Sequence, residues 1–304
     1  MRQVLKDRQQ EIQFQKDGYI IVPFLNESEV QSLRKQYFDT IAQSGGLIQS
    51  EDAGINDVIT YDFTFIDKNI EYKRLVFNVI TNVFAPHVAH YLDAYKPIIA
   101  NFIRKKTNAG EVPLHQNWAF VDEKKCTSVS IWCPLVDSNE ENGTLQVVPG
   151  SHKRFGEVRG PMIPWELENI KQTIIENHLV PMNVKAGEAV ILDDSIVHYS
   201  AINKKDELRL AIQLILIPQE EKSIHYHFDE HKNAKQVEII EADVDFYMEF
   251  NPWKKMDNAK LVKMLPYKPT QLSITGFKNK VWGKRIDEAT HSESFLDRVK
   301  AIFS

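Results

Sequence analysis

The segment Gly187-Glu188-Ala189-Val190-Ile191-Leu192-Asp193-Asp194-Ser195-Ile196-Val197-His198 runs from a glycine turn through a short apolar stretch to an acidic turn and a lone histidine. Apolar runs of about four to eight residues bounded by turn signals read as buried strands. Ala189–Leu192 is one such run, and Arg209 opens another, Leu210–Ile217, eleven residues beyond His198. Outward from this pair the same texture fills the chain from Pro97 to about Pro218. It recurs in Ile98–Arg104, Thr127–Leu135, Thr144–Val148 and Leu179–Val184, with Asn142-Gly143 and Ala186-Gly187-Glu188 as turn chemistry. Six or more strands at this spacing predict a β-sandwich or barrel, interrupted by a helix over 164–177.

The flanks differ. Residues 1–16 are polar and helix-favouring, and Gly18–Leu25 reads as a short buried strand. Asn26 and Glu29 have the spacing of a capping box, which predicts a helix from about Ser28 to Ala42 with Val30, Leu33, Tyr37 and Ile41 inward. Residues 69–93 suit one or two helices. Residues 219–304 are mixed and charged, broken at Pro252-Trp253 and Pro266-Tyr267, with an amphipathic helix expected over 293–303. The expected organisation is one domain over 1–304: a mostly helical flank (1–96), a core (97–218) and a C-terminal elaboration (219–304).

Composition narrows the function classes. The chain is 43% hydrophobic, enough to build a core, yet no stretch approaches the length of a membrane span. The N-terminus lacks the apolar region of a secretory signal, and two cysteines, Cys126 and Cys133, fit a reducing compartment, so a cytoplasmic protein is expected. A net charge of −5 with dispersed signs gives no nucleic-acid or membrane footprint. A small-molecule enzyme is the default reading.

On a strand, His115 and Asn117 of Leu114-His115-Gln116-Asn117-Trp118 point to one face and can approach one metal ion. Arg209, flanked by apolar residues, needs a partner for its charge, and its fork suits a carboxylate. With these residues in place, the chain resembles the phytanoyl-CoA dioxygenase family of Fe(II)/2-oxoglutarate-dependent oxygenases. The resemblance rests on Phe14–Leu25, Leu114–Trp118, Ile131-Trp132-Cys133-Pro134-Leu135, Glu141–Leu145, Val148–Lys153, His198-Tyr199-Ser200 and Arg209, in that order. It implies a mainly β fold with flanking helices: a cupin-like double-stranded β-helix, or jelly roll. It implies iron held by His115 and His198 with Asn117 at the third position. It implies 2-oxoglutarate on Arg209 and Ser200, walled by Trp132 and near Gln116, with O₂ as oxidant. Trp118, Phe120 and Arg104 are candidates for the substrate pocket; core packing for the rings and an ion pair for Arg104 are the alternatives.

Asn117 stands where the family has aspartate. An amide oxygen is neutral and a weaker donor than a carboxylate. Four readings stay open. Asn117 coordinates and the enzyme turns over; the chain is an inactive variant; the position is vacant, as in halogenating relatives; or another acid such as Asp122 substitutes. A non-catalytic ligand-binding protein on the same scaffold is the alternative function. The substrate expected of an active enzyme is a small metabolite, an amino acid or a biosynthetic intermediate. It would be hydroxylated at an unactivated C–H bond with release of succinate and CO₂, under a lid built from 44–58 and 219–270. Asp193 or Asp194 can orient a ligand histidine. His152 reads as loop structure, and His225, His227 and His231 as an ordinary surface rather than a second metal site.

Overall fold

The computed structural model describes residues 2–49, 59–257 and 259–283. The chain opens with helix α1 (Arg8–Asp17), started by the Asp7 side chain on the Gln10 amide and ended at Gly18, where φ is +84°. Strand β1 (Tyr19–Pro23) leads to α2 (Glu27–Thr40). The expected capping box is formed: Asn26 Oδ1 accepts from the Glu29 amide at 3.0 Å and Glu29 Oε2 from the Asn26 amide at 2.8 Å. Val30, Leu33 and Tyr37 face inward as expected, while Ile41 lies past the helix and is half-buried. After β2 (Asp62–Phe63), residues 70–91 form one continuous helix, α3 (Ile70–Tyr91), which keeps Pro86 inside it.

Eight strands then follow. They are β3 (Tyr95–Lys105), β4 (Val112–His115), β5 (Val129–Pro134), β6 (Gln146–Val147), β7 (Val180–Pro181), β8 (Glu188–Asp193), β9 (His198–Ser200) and β10 (Arg209–Pro218). The helix expected over 164–177 occupies only the second half of that span, as α4 (Lys171–Asn177) after a single 3₁₀ turn. The larger sheet has the order β1-β8-β5-β10-β3-β2 and the smaller β4-β9-β6-β7. The chain therefore alternates between sheets: β3, β5, β8 and β10 lie in one, and β4, β6, β7 and β9 in the other. Pairing is antiparallel throughout. This alternation is a double-stranded β-helix, the jelly roll expected above. The sheet starts before residue 97, because β1 and β2 from the helical flank form its two edges.

Residues 219–283 hold more regular structure than their mixed composition suggests. Strands β11 (Ser223–His227), β12 (Gln236–Ala242) and β13 (Lys260–Pro266) form a third sheet in that order, with short helices α5 (Glu230–Asn233) and α6 (Val244–Glu249) between them. The helix expected over 293–303 lies outside the described residues. No helix among the described residues is long and apolar enough to cross a membrane.

Strand alternation decides which residues reach the interior. On β10, Leu210, Ile212, Leu214 and Leu216 pack with Val76, Ile80 and Phe84 of α3. The alternate residues Arg209, Gln213 and Ile215 turn to the space between the two sheets. On β5, Ile131 and Cys133 join the helical side, and Trp132 between them faces inward. On β3, Ala100 and Phe102 pack under the helices, whereas Ile99, Asn101 and Ile103 line the interior.

Candidate functional site

Between the sheets lies a cavity of about 460 Å³. On its floor β4 and β9 place His115 directly opposite His198, with ring centroids 4.1 Å apart. Each ring is tethered by the backbone carbonyl two residues earlier. His115 Nδ1 lies 2.7 Å from Pro113 O and His198 Nδ1 lies 2.9 Å from Ile196 O. An Nδ1–H donating to a carbonyl sets the tautomer and leaves the Nε2 lone pair available to a metal. Burial holds both imidazoles below their ordinary pKa. For His198, well below it, the neighbouring His115 adds to the effect. Both shifts favour the neutral rings that ligation requires.

Asn117 continues the extended chain beyond His115 and lines the same cavity. Its Nδ2 donates to Asp194 Oδ1 at 2.7 Å and to Ser130 Oγ at 3.0 Å, and Ser130 Oγ donates to the same Asp194 oxygen at 2.6 Å. The nitrogen is thus committed to Asp194 and Ser130, and the amide oxygen is left on the His115 side. Asp194 is completely buried, and desolvation pushes its carboxyl up to about 7 despite these hydrogen bonds. Asp122 does not substitute: it is 44% exposed and pairs with Lys125 at 3.2 Å. No group of three His, Cys, Asp or Glu side chains among the described residues is placed to hold a metal ion. The side chain beside the two histidines that could serve as a third donor is Asn117, through its oxygen.

Arg209, 1% exposed, opens into the same cavity. Its Nη2 reaches Ser200 Oγ at 3.5 Å, while Nε and Nη1 have no partner among the described residues. Trp132 lies beneath the guanidinium at 5.6 Å. Burial lowers the arginine to about 9. Directly across the strand pair sits Lys105, also fully buried, whose Nζ donates to the Ser200 and Ala201 carbonyls and to Ser200 Oγ. Burial, and then the charge of Arg209, depress this lysine to about 5. The Arg209 guanidinium, with two nitrogens unpartnered among the described residues, is a site that a ligand carboxylate fits, and Lys105 braces Ser200 behind it. The Ser200 hydroxyl donates to Gly143 O at 2.8 Å, so it orients the basic pair rather than offering its own proton to a ligand.

Trp118 and Phe120 line the cavity with Phe63, Phe65 and Trp253. Two sequence expectations are corrected. Gln116 alternates with His115 and Asn117 and faces the opposite way. Its Nε2 donates to Ser195 O at 2.6 Å and its Oε1 accepts from Trp165 Nε1 at 3.1 Å, so it is structural. Arg104 alternates with Ile103 and Lys105, turns to the helical side, pairs with Asp62 and sits over Tyr37. Of the lid expected from 44–58 and 219–270, Pro252 and Trp253 reach the cavity; residues 50–58 lie outside the described residues. Neither Asp193 nor Asp194 holds a histidine. Asp193 accepts from the Ser195 amide at 2.8 Å and Asp194 takes the Asn117 amide. Lys105 and the Asn117–Asp194 contact escape sequence reasoning. Lys105 lies just past the apolar run Ile98–Arg104, and only the alternation of β3 marks it as inward.

His152 is tied to Gln15 O at 3.1 Å and packs against Gly18, as a loop residue does. His225 is buried among the rings of Trp118, Phe246 and Phe250. Burial, and then His227, lower its pKa from 6.5 to about 3. The fold holds the neutral ring, so between these values the unfolded chain binds more protons. The stability this group contributes is complete above about pH 6.5 and declines as pH falls through that window. His225→Phe is expected to remove about 2 kcal/mol of the stability loss between about pH 7 and 5. Urea unfolding of both proteins at the two pH values measures it; an equal loss in both would contradict it.

Residues 14–211 match the phytanoyl-CoA dioxygenase (PhyH) family. The chain is 27% identical over 209 residues to a phytanoyl-CoA dioxygenase domain-containing protein 1 homolog of Dictyostelium discoideum, covering 65% of this chain and 72% of the relative. It is 25% identical over 253 residues to a phytanoyl-CoA dioxygenase of Arabidopsis thaliana, covering 67% and 86%. Among solved structures it is similar to the non-heme alpha ketoglutarate dependent carbocyclase SnoK from nogalamycin biosynthesis. The TM-score is 0.54 at 21% identity, over 72% of this chain and 86% of that one, a likeness of fold.

Proposed function

The chain belongs to the phytanoyl-CoA dioxygenase family, and from that premise we propose that it is an oxygenase using Fe(II), 2-oxoglutarate and O₂ to hydroxylate an unactivated C–H bond of an apolar, uncharged small molecule. One observation carries the reading: two tethered imidazoles and a buried guanidinium with two unpartnered nitrogens open into one cavity.

The side chains divide the work. His115 and His198 would hold the metal through Nε2, with the Asn117 oxygen as third donor. Arg209, steered by Ser200 and Lys105, would hold the far carboxylate of 2-oxoglutarate over the Trp132 face. Iron, when bound, would let O₂ act as the oxidant, taking two electrons from 2-oxoglutarate, which leaves succinate and CO₂, and two from the C–H bond, which leaves the hydroxyl. Trp118, Phe120 and Phe65 would press the substrate toward the histidines and keep water out. Arg209 is the one charged side chain among the described lining residues. Once it holds the cosubstrate, the described lining residues offer no ion-pair partner for an amino acid or a coenzyme A phosphate. This favours a biosynthetic intermediate of low polarity over an amino acid.

Succinate release tests this directly. Enzyme supplied with Fe(II), 2-oxoglutarate and O₂ is expected to respond to neutral apolar compounds. Phe65→Ala is expected to raise the KM for such a substrate about tenfold, matching about 1.4 kcal/mol of lost apolar contact, without altering 2-oxoglutarate affinity. Stimulation by amino acids or acyl-CoA alone would overturn the substrate class.

A further inference from the structure

We propose that Asp194 is a positioning residue for the metal site: it fixes the Asn117 amide with its nitrogen turned away and its oxygen toward the two histidines. The inference rests on the metal-site reading above and deepens it.

An asparagine carries a donor end and an acceptor end of nearly equal size, and a half-turn of the amide exchanges them. With the nitrogen inward, Asn117 would present N–H groups to the metal position and could not ligate. The surroundings decide which end faces in. Asp194 Oδ1 accepts from Asn117 Nδ2 at 2.7 Å and from Ser130 Oγ at 2.6 Å, while Ser130 Oγ itself accepts from the same amide at 3.0 Å. A reversed amide would set its oxygen against a carboxylate oxygen that is already accepting, in a site closed to water: Asp194 is 0% and Ser130 0% exposed. The cost of two facing acceptors in such a place exceeds that of an ordinary lost hydrogen bond.

The same contact places a buried acceptor oxygen behind the neutral ligand. A carboxylate that accepts from an amide nitrogen draws electron density toward the amide oxygen, making it a better donor to a cation. The aspartate that the family places at the metal is here an amide, and a carboxylate stands directly behind it. Asp194 itself does not line the cavity. It acts through Asn117 and contacts neither the metal position nor the substrate space.

The test is a double-mutant cycle on metal affinity, read by calorimetric titration of anaerobic Fe(II) into the whole protein. Asp194→Ala is expected to weaken Fe(II) binding about 10- to 100-fold. In an Asn117→Ala background the same substitution is expected to change nothing further, because the group it orients is gone. A merely structural role would cost the same in both backgrounds, and that result, or no loss at all, overturns the proposal. The reciprocal exchange, Asn117→Asp with Asp194→Asn, keeps a carboxylate and an amide in contact with their places swapped. It is expected to bind Fe(II) at least as tightly as the native protein and to melt near it, whereas Asn117→Asp alone, which sets two buried carboxylates against each other, melts lower without metal. An exchange variant that folds but binds Fe(II) tenfold more weakly than the native protein also overturns the proposal. Native protein that binds no Fe(II) overturns the metal-site reading and this inference together. Fe(II) binding that Asp194→Ala leaves intact overturns this inference alone.

Discussion

Arg209→Met is expected to lower 2-oxoglutarate affinity by about 100- to 1000-fold while leaving the cosubstrate-free protein as stable as the native one, or more so. Both halves follow from one fact. Arg209 is fully buried, with Nε and Nη1 unpartnered and a single long contact to Ser200. Losing a charge-assisted partner for a buried carboxylate costs about 2–5 kcal/mol, and each 1.4 kcal/mol is about tenfold in affinity. Without the ligand, however, the guanidinium is a desolvated cation with no acid beside it, which burial drags down to about 9. Replacing such a charge with an apolar side chain of similar length is neutral or stabilising. Calorimetric titration with 2-oxoglutarate and a thermal melt of the apoprotein measure the two halves. Unchanged affinity would place the cosubstrate elsewhere; a large drop in melting temperature would mean that Arg209 is structural.

His198→Ala is expected to abolish turnover and weaken Fe(II) binding by about a thousandfold or more, the second large effect. On the proposed reading the ring would supply one of the two nitrogen donors among the described residues, and its Nδ1 tether to Ile196 O aims it before any metal arrives. Its removal takes away both the strongest type of donor in the set and that preorganisation. Asn117→Ala is expected to cost less, since an amide oxygen is a weaker donor than an imidazole. The order of the two losses is the informative result. It is read by anaerobic Fe(II) titration and by succinate formation.

Much of this site is legible in the sequence. The apolar runs of β3, β5, β8 and β10 are strong because these strands are buried on both faces. Arg209 stands out because a charged residue opening such a run needs a reason, whereas His115 and His198 are marked by the family resemblance. Other parts leave no local trace. Strands β4 and β9 have four and three residues, too few for a periodic signal, although their pairing is what brings the histidines together. Strand β13 is mostly exposed and carries lysines among its apolar residues, so its pattern resembles a loop. The cavity's aromatic wall draws Phe63 and Phe65 from the flank and Trp253 from the far end of the chain. The Asn117–Asp194 contact joins residues distant in sequence, and neither one's neighbours announce the other. Gln116 and Arg104 show the opposite hazard. Each sits beside a site residue in sequence, and alternation turns it to the wrong face.

On the proposed reading, the histidine pair and the buried arginine form one metal-and-cosubstrate site despite the asparagine. Anaerobic titration of 2-oxoglutarate with and without Fe(II), followed by heat and by visible charge-transfer absorption, tests it most directly. The expected result is 2-oxoglutarate binding that depends on Fe(II), with an absorption band that appears in the native protein and is lost in both His198→Ala and Arg209→Met. Binding of 2-oxoglutarate that ignores Fe(II) and survives His198→Ala would contradict the claim and make the chain a ligand-binding protein on an oxygenase fold.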